Sequence, residues 1–344
     1  MHQNQALWKK FYSLASRIHT LKPWQWMHED DTFVIRVPSG RTYFMSIMGA
    51  GGEFPGIIAY EGPEAFHDFL DLQDYDDILP PEAILTIPHM MLYWSEKKEL
   101  MPEEKSLMKE VRFSASGKNG WPRLDRTVPG FVPALPEDSF LEEMVIALEQ
   151  TLNVAARAEA EENLLWPGDP EAGNYLLCEC IEKKGVLTWY DKEYALPEKI
   201  QIAPAEPDSD MVRSLAKLQE KKMILQMDLR MLPAPVKDGV HTPYFPWIIM
   251  LVEKKRGMVL HFKLLTPLPD LQHMLSTLQV CLLESLRAAN CRPQTLEVRN
   301  PLLAYHLEPV NNRIPFGLRF VESMKSLDEA FDSLISSMEQ TNPW

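Results

Sequence analysis

Several residue groups in this 344-residue chain have types and spacings that could do chemistry. The run Gly49-Ala50-Gly51-Gly52-Glu53-Phe54-Pro55-Gly56 is the first. A phosphate cradle needs a glycine-rich loop that opens a helix, so that free N–H groups face the anion. Here strand-like Ile57-Ile58-Ala59-Tyr60 follows and Pro55 removes a donor, so a strand-to-strand connection is the first expectation. Gly51, Gly52 and Glu53 stay on as ligand-binding candidates, joined by Trp24 and Trp26 of Pro23-Trp24-Gln25-Trp26, whose rings suit recognition as well as core packing. Lys254-Lys255-Arg256, set before Gly257 between apolar stretches, reads as a hairpin tip and is the candidate for phosphate contact. Metal chemistry has little to stand on. There is no His-Glu-x-x-His, no Cys-x-x-Cys, and Cys178 and Cys180 lack two further ligands at a recognisable spacing. A Gly-x-Ser-x-Gly elbow and a phosphate-binding Gly-Lys-Ser/Thr loop are absent as well. No cofactor is expected.

These residues sit on a scaffold of ordinary globular composition, 45% hydrophobic and 24% charged, with 28 prolines and 15 glycines. The net charge of −14 is uneven. From Val212 onward 16 basic residues face 13 acidic ones, so the first 211 residues carry −17. Such a portion repels a phosphate backbone, which makes nucleic acid an unlikely partner for 1–211 and leaves it open for 212–344. The longest apolar run, Trp247 to Val252, is far short of the ~20 residues that cross a bilayer. No charged segment followed by an apolar one opens the chain, and four cysteines are no disulfide framework. The expectation is a cytoplasmic protein without membrane contact.

Residues 6–21 place Leu7, Phe11, Leu14, Ala15 and Ile18 at helical spacing. Strands are expected at 32–37, 42–48, 57–60 and 84–94, a helix at 63–72 and a short helix at 102–111. Prolines and glycines across 113–137 predict irregular chain. Ser139 and Glu142 read as a capping box for a helix to about residue 163. A hairpin follows over 175–190, and 197–207 is rich in proline. Beyond it the order reads β-β-β-α-β-α-β-α, with Asp270 capping the long helix and Ser326/Glu329 a second capping box before Phe331, Leu334, Ile335 and Met338. The expected fold is α+β. It comprises an acidic N-terminal domain with an antiparallel sheet (1–165), a hairpin and proline-rich connector (166–210), and a C-terminal mixed-sheet α/β domain (211–344).

Two resemblances extend this reading. Leu7-Trp8-Lys9, Pro23-Trp24-Gln25-Trp26, Met48 to Glu53, Tyr60-Glu61-Gly62 and Pro129 to Pro133 resemble an uncharacterised bacterial domain family over roughly 5–160. Met227-Asp228-Leu229, Pro243 to Pro246, Arg292-Pro293 and Leu296 to Asn300 resemble the uncharacterised domain that accompanies it. The second domain also resembles a worn RNase H or integrase fold. That resemblance implies a metal-binding aspartate on the first strand, where Asp228 stands. Such chemistry needs two Mg²⁺ ions held by three or four converging carboxylates. Where the resemblance places a second aspartate, the chain has Arg299 and Asn300, and Glu284, Asp328 and Asp332 carry no motif. The expectation is therefore a non-catalytic binding module with a protein partner. The alternatives are a metal-dependent nuclease or phosphodiesterase using Asp228, and small-ligand binding in an inter-domain groove with Trp24, Trp26 and the glycine loop.

Overall fold

The computed structural model describes residues 4–52, 54–74, 81–161, 163–167, 173–200, 204, 206–314 and 316–341. Glu53 lies outside them, as does the side chain of Met338. The chain forms two compact units: Met1–Asp71 with Ile87–Val128 and Pro133–Ile200, and Leu72–Thr86 with Pro129–Val132 and Gln201–Trp344.

The first unit opens with α1 (Gln5–Leu21), capped by Asn4 Oδ1 accepting from Leu7 N–H at 3.3 Å. Strands β1 (Phe33–Arg36), β2 (Thr42–Met48) and β3 (Gly56–Glu61) follow, then α2 (Pro63–Asp74), β4 (His89–Ser95), α3 (Pro102–Glu110), β5 (Trp121–Thr127), α4 (Asp138–Ala158), β6 (Tyr175–Lys183) and β7 (Val186–Tyr194). They build a seven-stranded sheet in the order β5-β4-β3-β2-β1-β6-β7. Period-two burial sends Phe33, Ile35, Tyr43, Met45 and Ile47 into one core with Trp8, Phe11 and Ile18 of α1 and Met144, Leu148 and Ala155 of α4. On the opposite face Phe44 stacks on Phe66 at 4.5 Å, and Tyr60 stacks on Phe69 at 4.5 Å.

Four expectations change here. The sheet is mixed and not antiparallel, because β6 pairs with β1 in parallel (Val34↔Leu177) after the long α4 connection returns the chain. That pairing also draws the 175–194 hairpin out of the expected connector and into the sheet. The stretch expected to be irregular contains β5, whose Pro122 is tolerated because the strand is the sheet's outer edge. Helix α4 begins at Asp138, one residue ahead of Ser139, with no side-chain cap on its first turn.

In the second unit α5 (Ser209–Ala216) precedes β8 (Glu220–Met231), β9 (Trp247–Glu253), β10 (Met258–Leu265), α6 (Leu271–Ser276), α7 (Leu278–Ala288), β11 (Arg292–Val298), α8 (Pro301–Asn311), β12 (Gly317–Phe320) and α9 (Lys325–Thr341). The five-stranded sheet runs β10-β9-β8-β11-β12. Strands β8, β11 and β12 are parallel neighbours, and β9 is antiparallel to β8 and β10. The expected long helix divides at Thr277 into α6 and α7. The Ser326 capping box does not form: α9 starts at Lys325 and Ser326 Oγ donates to Lys254 O at 2.7 Å. One sheet face buries Leu225, Met227 and Leu229 against α7 and α8, with Leu282, Leu286 and Leu303. The other carries Ile248, Met250 and Val252 under Met324 and Leu327 at the start of α9.

Candidate functional site

Strand alternation decides what β8 presents. With Leu225, Met227 and Leu229 in the core, Gln226, Asp228 and Arg230 fall on the opposite face. Asp228 is only 4% exposed. A carboxylate so enclosed needs partners, and it has three. Its Oδ2 accepts from Arg230 Nε at 2.9 Å and from Arg299 Nη2 at 2.8 Å. Its Oδ1 accepts from the Leu229 N–H at 3.1 Å.

Arg299 follows the end of β11, and its Nη2 also donates to Asp328 Oδ1 of α9 at 3.0 Å. Arg230 Nη2 donates to that same Asp328 oxygen. The Arg230 guanidinium lies 4.7 Å from the centre of the Phe331 ring, a cation–π contact. Asn300 caps α8 by accepting from Leu302 N–H at 2.9 Å and reaches back to Leu229 O at 3.4 Å. Two arginines and two aspartates thus interlock on β8, β11 and α9, bordering a cavity of about 340 Å³ with Asn300 and Phe331. Burial pushes the Asp228 carboxyl up to about 6 even though Arg299 and the Leu229 N–H favour its ionised form.

A two-metal site needs several carboxylates converging on divalent ions. Among the described residues no group of three His, Cys, Asp or Glu side chains could hold a metal ion. Glu284 is engaged elsewhere, accepting from Lys263 Nζ at 2.6 Å, and Asp332 is exposed on α9.

Trp24, Trp26 and the glycine loop belong to the first unit, and Lys254–Arg256 to the second. Trp24 packs against Trp94 at 5.4 Å and His19 at 6.2 Å, and Trp26 Nε1 donates to Ala155 O at 3.0 Å. Both rings are half-buried against the first core. Trp26 and Trp189 border a broad groove of about 1310 Å³ along α1, α4 and β7. Gly51 and Gly52 occupy the turn between paired strands β2 and β3, and Gly52 N–H donates to Gly49 O at 2.9 Å. At Gly49, with φ +108°, an added Cβ would come within 2.7 Å of Pro55 Cα, which explains glycine there.

The Lys254–Arg256 run does form the β9–β10 tip. Lys254 Nζ grips the buried Glu297 carboxylate at 2.7 and 2.9 Å, and the Lys255 and Arg256 N–H groups donate to Glu253 at 3.1 and 3.0 Å. All four cysteines are buried and unpaired, and burial pushes the Cys178 thiol up to about 12. Sequence reasoning singled out Asp228 and the opposing Arg299 but passed over Arg230. Its signal was present in the i, i+2, i+4 spacing of Gln226, Asp228 and Arg230.

Comparison with known families gives two matches along the chain. Residues 8–176 match a domain of unknown function (DUF7309), and residues 211–335 match a second domain of unknown function (DUF6930). The chain is built of these two domains. No curated protein matches it. No helix among the described residues is long and apolar enough to cross a membrane.

Proposed function

We propose that the protein is a non-catalytic binding module whose second domain keeps an RNase H-like scaffold with its acidic centre occupied by arginine. The carrying observation is Arg299 Nη2, which stands 2.8 Å from Asp228 and 3.0 Å from Asp328. A guanidinium stays charged at every working pH, so it holds the position between two carboxylates that a divalent ion would need. Arg230 adds a second cation on the same two acids. Support for the scaffold comes from the strand order, with β9 alone running against the others, and from Asp228 on the first strand of that sheet. A protein partner is favoured over nucleic acid: the first 211 residues carry −17, and Lys254 in the basic turn is already tied to Glu297. Four buried, unpaired thiols favour a reducing, cytoplasmic setting.

The test titrates Mg²⁺ and Mn²⁺ into the full chain by calorimetry and incubates the metal-supplemented protein with single- and double-stranded DNA and RNA. Neither binding heat nor cleavage is expected. Cleavage that Asp228→Asn abolishes would overturn the reading in favour of a nuclease.

A further inference from the structure

The cavity of about 340 Å³ bordered by Arg230, Arg299 and Asp328 keeps polar atoms that the ionic network does not use. Arg299 commits Nη2 to Asp228 and Asp328, at 2.8 and 3.0 Å, and Arg230 commits Nε and Nη2 to the same two acids. Arg299 Nε and Nη1 and Arg230 Nη1 meet no acceptor among the described residues, yet none of the three is sealed from solvent. Asp328 takes both guanidiniums on Oδ1, which leaves Oδ2 open on a side chain 34% exposed. Glu82, exposed on the wall of the same cavity, has no ion pair or hydrogen bond among the described residues.

Free donors and free acceptors therefore stand side by side, since Asp328 Oδ1 lies 3.0 Å from Arg299 Nη2 and Oδ2 belongs to the same carboxylate. The lining holds two cations, Arg230 and Arg299, and three acids, Glu82, Asp228 and Asp328. A lone anion meets net repulsion there. A lone cation covers the guanidinium N–H groups without giving them an acceptor. A ligand that carries both charges on neighbouring atoms satisfies both sets.

We infer that this cavity binds a free α-amino acid with an apolar side chain, as a small ligand of the binding module proposed above. The inference rests on that reading, because it needs Arg299 to hold the place between the two acids. The ligand's carboxylate accepts from Arg299 and Arg230 in charge-assisted bonds. Its ammonium, one carbon away and with three donors, reaches Asp328 Oδ2 and Glu82. Leu229, Met231, Pro233 and Phe331 supply the apolar wall for the side chain. The volume is at the small end of ligand clefts, about 300–1,000 Å³, and suits a single small molecule.

Calorimetry on the full chain tests this at about pH 8, above the Asp228 carboxyl at about 6. L-Leucine, isocaproate (leucine without its amine) and isoamylamine (leucine without its carboxylate) are titrated to about 10 mM, enough to detect a Kd of about 1 mM. Leucine should bind, and each fragment should bind at least about tenfold more weakly for want of one set of charge-assisted bonds. Glu82→Gln should weaken leucine about threefold, the scale of a solvent-exposed pair, with an unchanged circular dichroism spectrum. Leucine without heat, a fragment that binds as tightly as leucine, or a Glu82→Gln chain with unaltered leucine affinity would each overturn the inference. Titrating Mg²⁺ in the same buffer keeps the two readings apart. No heat from leucine or from Mg²⁺ removes the ligand and leaves the arginine-filled centre, whereas Mg²⁺ heat that Asp228→Asn abolishes removes both.

Discussion

Replacing Arg299 with methionine removes one of the two cations that hold Asp228, and the loss of stability should depend on pH in a defined direction. The Asp228 carboxyl sits at about 6 in the folded chain against an ordinary 3.8. About two units correspond to about 3 kcal/mol by which folding disfavours the ionised form. A raised acid contributes stability that is fully present below pH ~4 and is lost as pH rises through its folded value. Burial sets that elevation and Arg299 is the first of the groups opposing it, so Arg299→Met lifts the folded value further. At pH 5 Asp228 is largely protonated in both proteins. The variant then loses only the Arg299 contact with the one-third-exposed Asp328, about 1 kcal/mol or less. At pH 8 each further unit of elevation adds about 1.4 kcal/mol. Breaking a buried pair outright costs about 3–5 kcal/mol, and the surviving bond from Arg230 at 2.9 Å keeps the loss near the lower end, about 3 kcal/mol. Pulse proteolysis in urea, with fragments of the second domain read by mass spectrometry, measures the loss at pH 5 and pH 8. Equal losses at the two pH values would refute the assignment of Asp228 as the buried ionising group.

Further outcomes follow from the same compact unit. At Glu297 burial pushes the carboxyl up, but Lys254 and Gln226 more than reverse this and leave it below the ordinary range. A lowered acid contributes stability above its unfolded value that is lost as pH falls. Lys254→Met should therefore cost about 1–2 kcal/mol at pH 7, discounted because Lys254 is 45% exposed, and almost nothing at pH 3; urea midpoints at the two pH values check it. Gly130 has φ +83°, and an added Cβ would meet Pro267 Cβ at 2.7 Å. Gly130→Ala should cost at least about 2 kcal/mol and lower Tm by roughly 4–8 °C. Gly257→Ala, with φ +64° and nothing near its Cβ, should shift Tm by about half as much or less in the same thermal scan.

Local physics was legible in the sequence. Helical spacing gave α1, and Lys184-Gly185, both with positive φ, mark the β6–β7 turn as a tight hairpin. Much of the C-terminal order β-β-β-α-β-α-β-α could be read from the apolar residues of β8, β9 and α7, although α5 and the break between α6 and α7 were not. What escaped depends on distant partners. Strand β5 is Trp-Pro-Arg-Leu-Asp-Arg-Thr, too polar and proline-broken to announce itself, and it exists because β4 pairs along its whole length. The parallel β1–β6 pair joins residues more than 140 positions apart, which no local pattern encodes. Ser139 and Ser326 carry the letters of a helix cap, yet each helix starts one residue sooner. At the candidate site Asp228 and Arg299 could be named, but their union with Arg230 and Asp328 arises only when β8, β11 and α9 converge.

That convergence bears on what the network is for. A buried ionic cluster is seldom a net source of stability, since desolvation offsets most of its attraction and well-packed apolar residues do as well or better. The neighbouring strand on the same face shows the apolar solution, with Ile248, Met250 and Val252 packed under α9. Strand β8 instead places Gln226, Asp228 and Arg230 there, and β11 adds Glu297 while Arg299 follows it. Asp228 is sealed in and locks both guanidiniums, whereas Asp328, at 34% exposure, and the Phe331 ring stand at the cavity. Rigid guanidiniums held from beneath and a half-open rim suit recognition, because the groups that would meet a partner are fixed before it arrives. Since the four charges come from three separate elements, any binding at this rim should report on the folded state of the whole second domain, and loosening α9 should weaken binding before it unfolds the sheet.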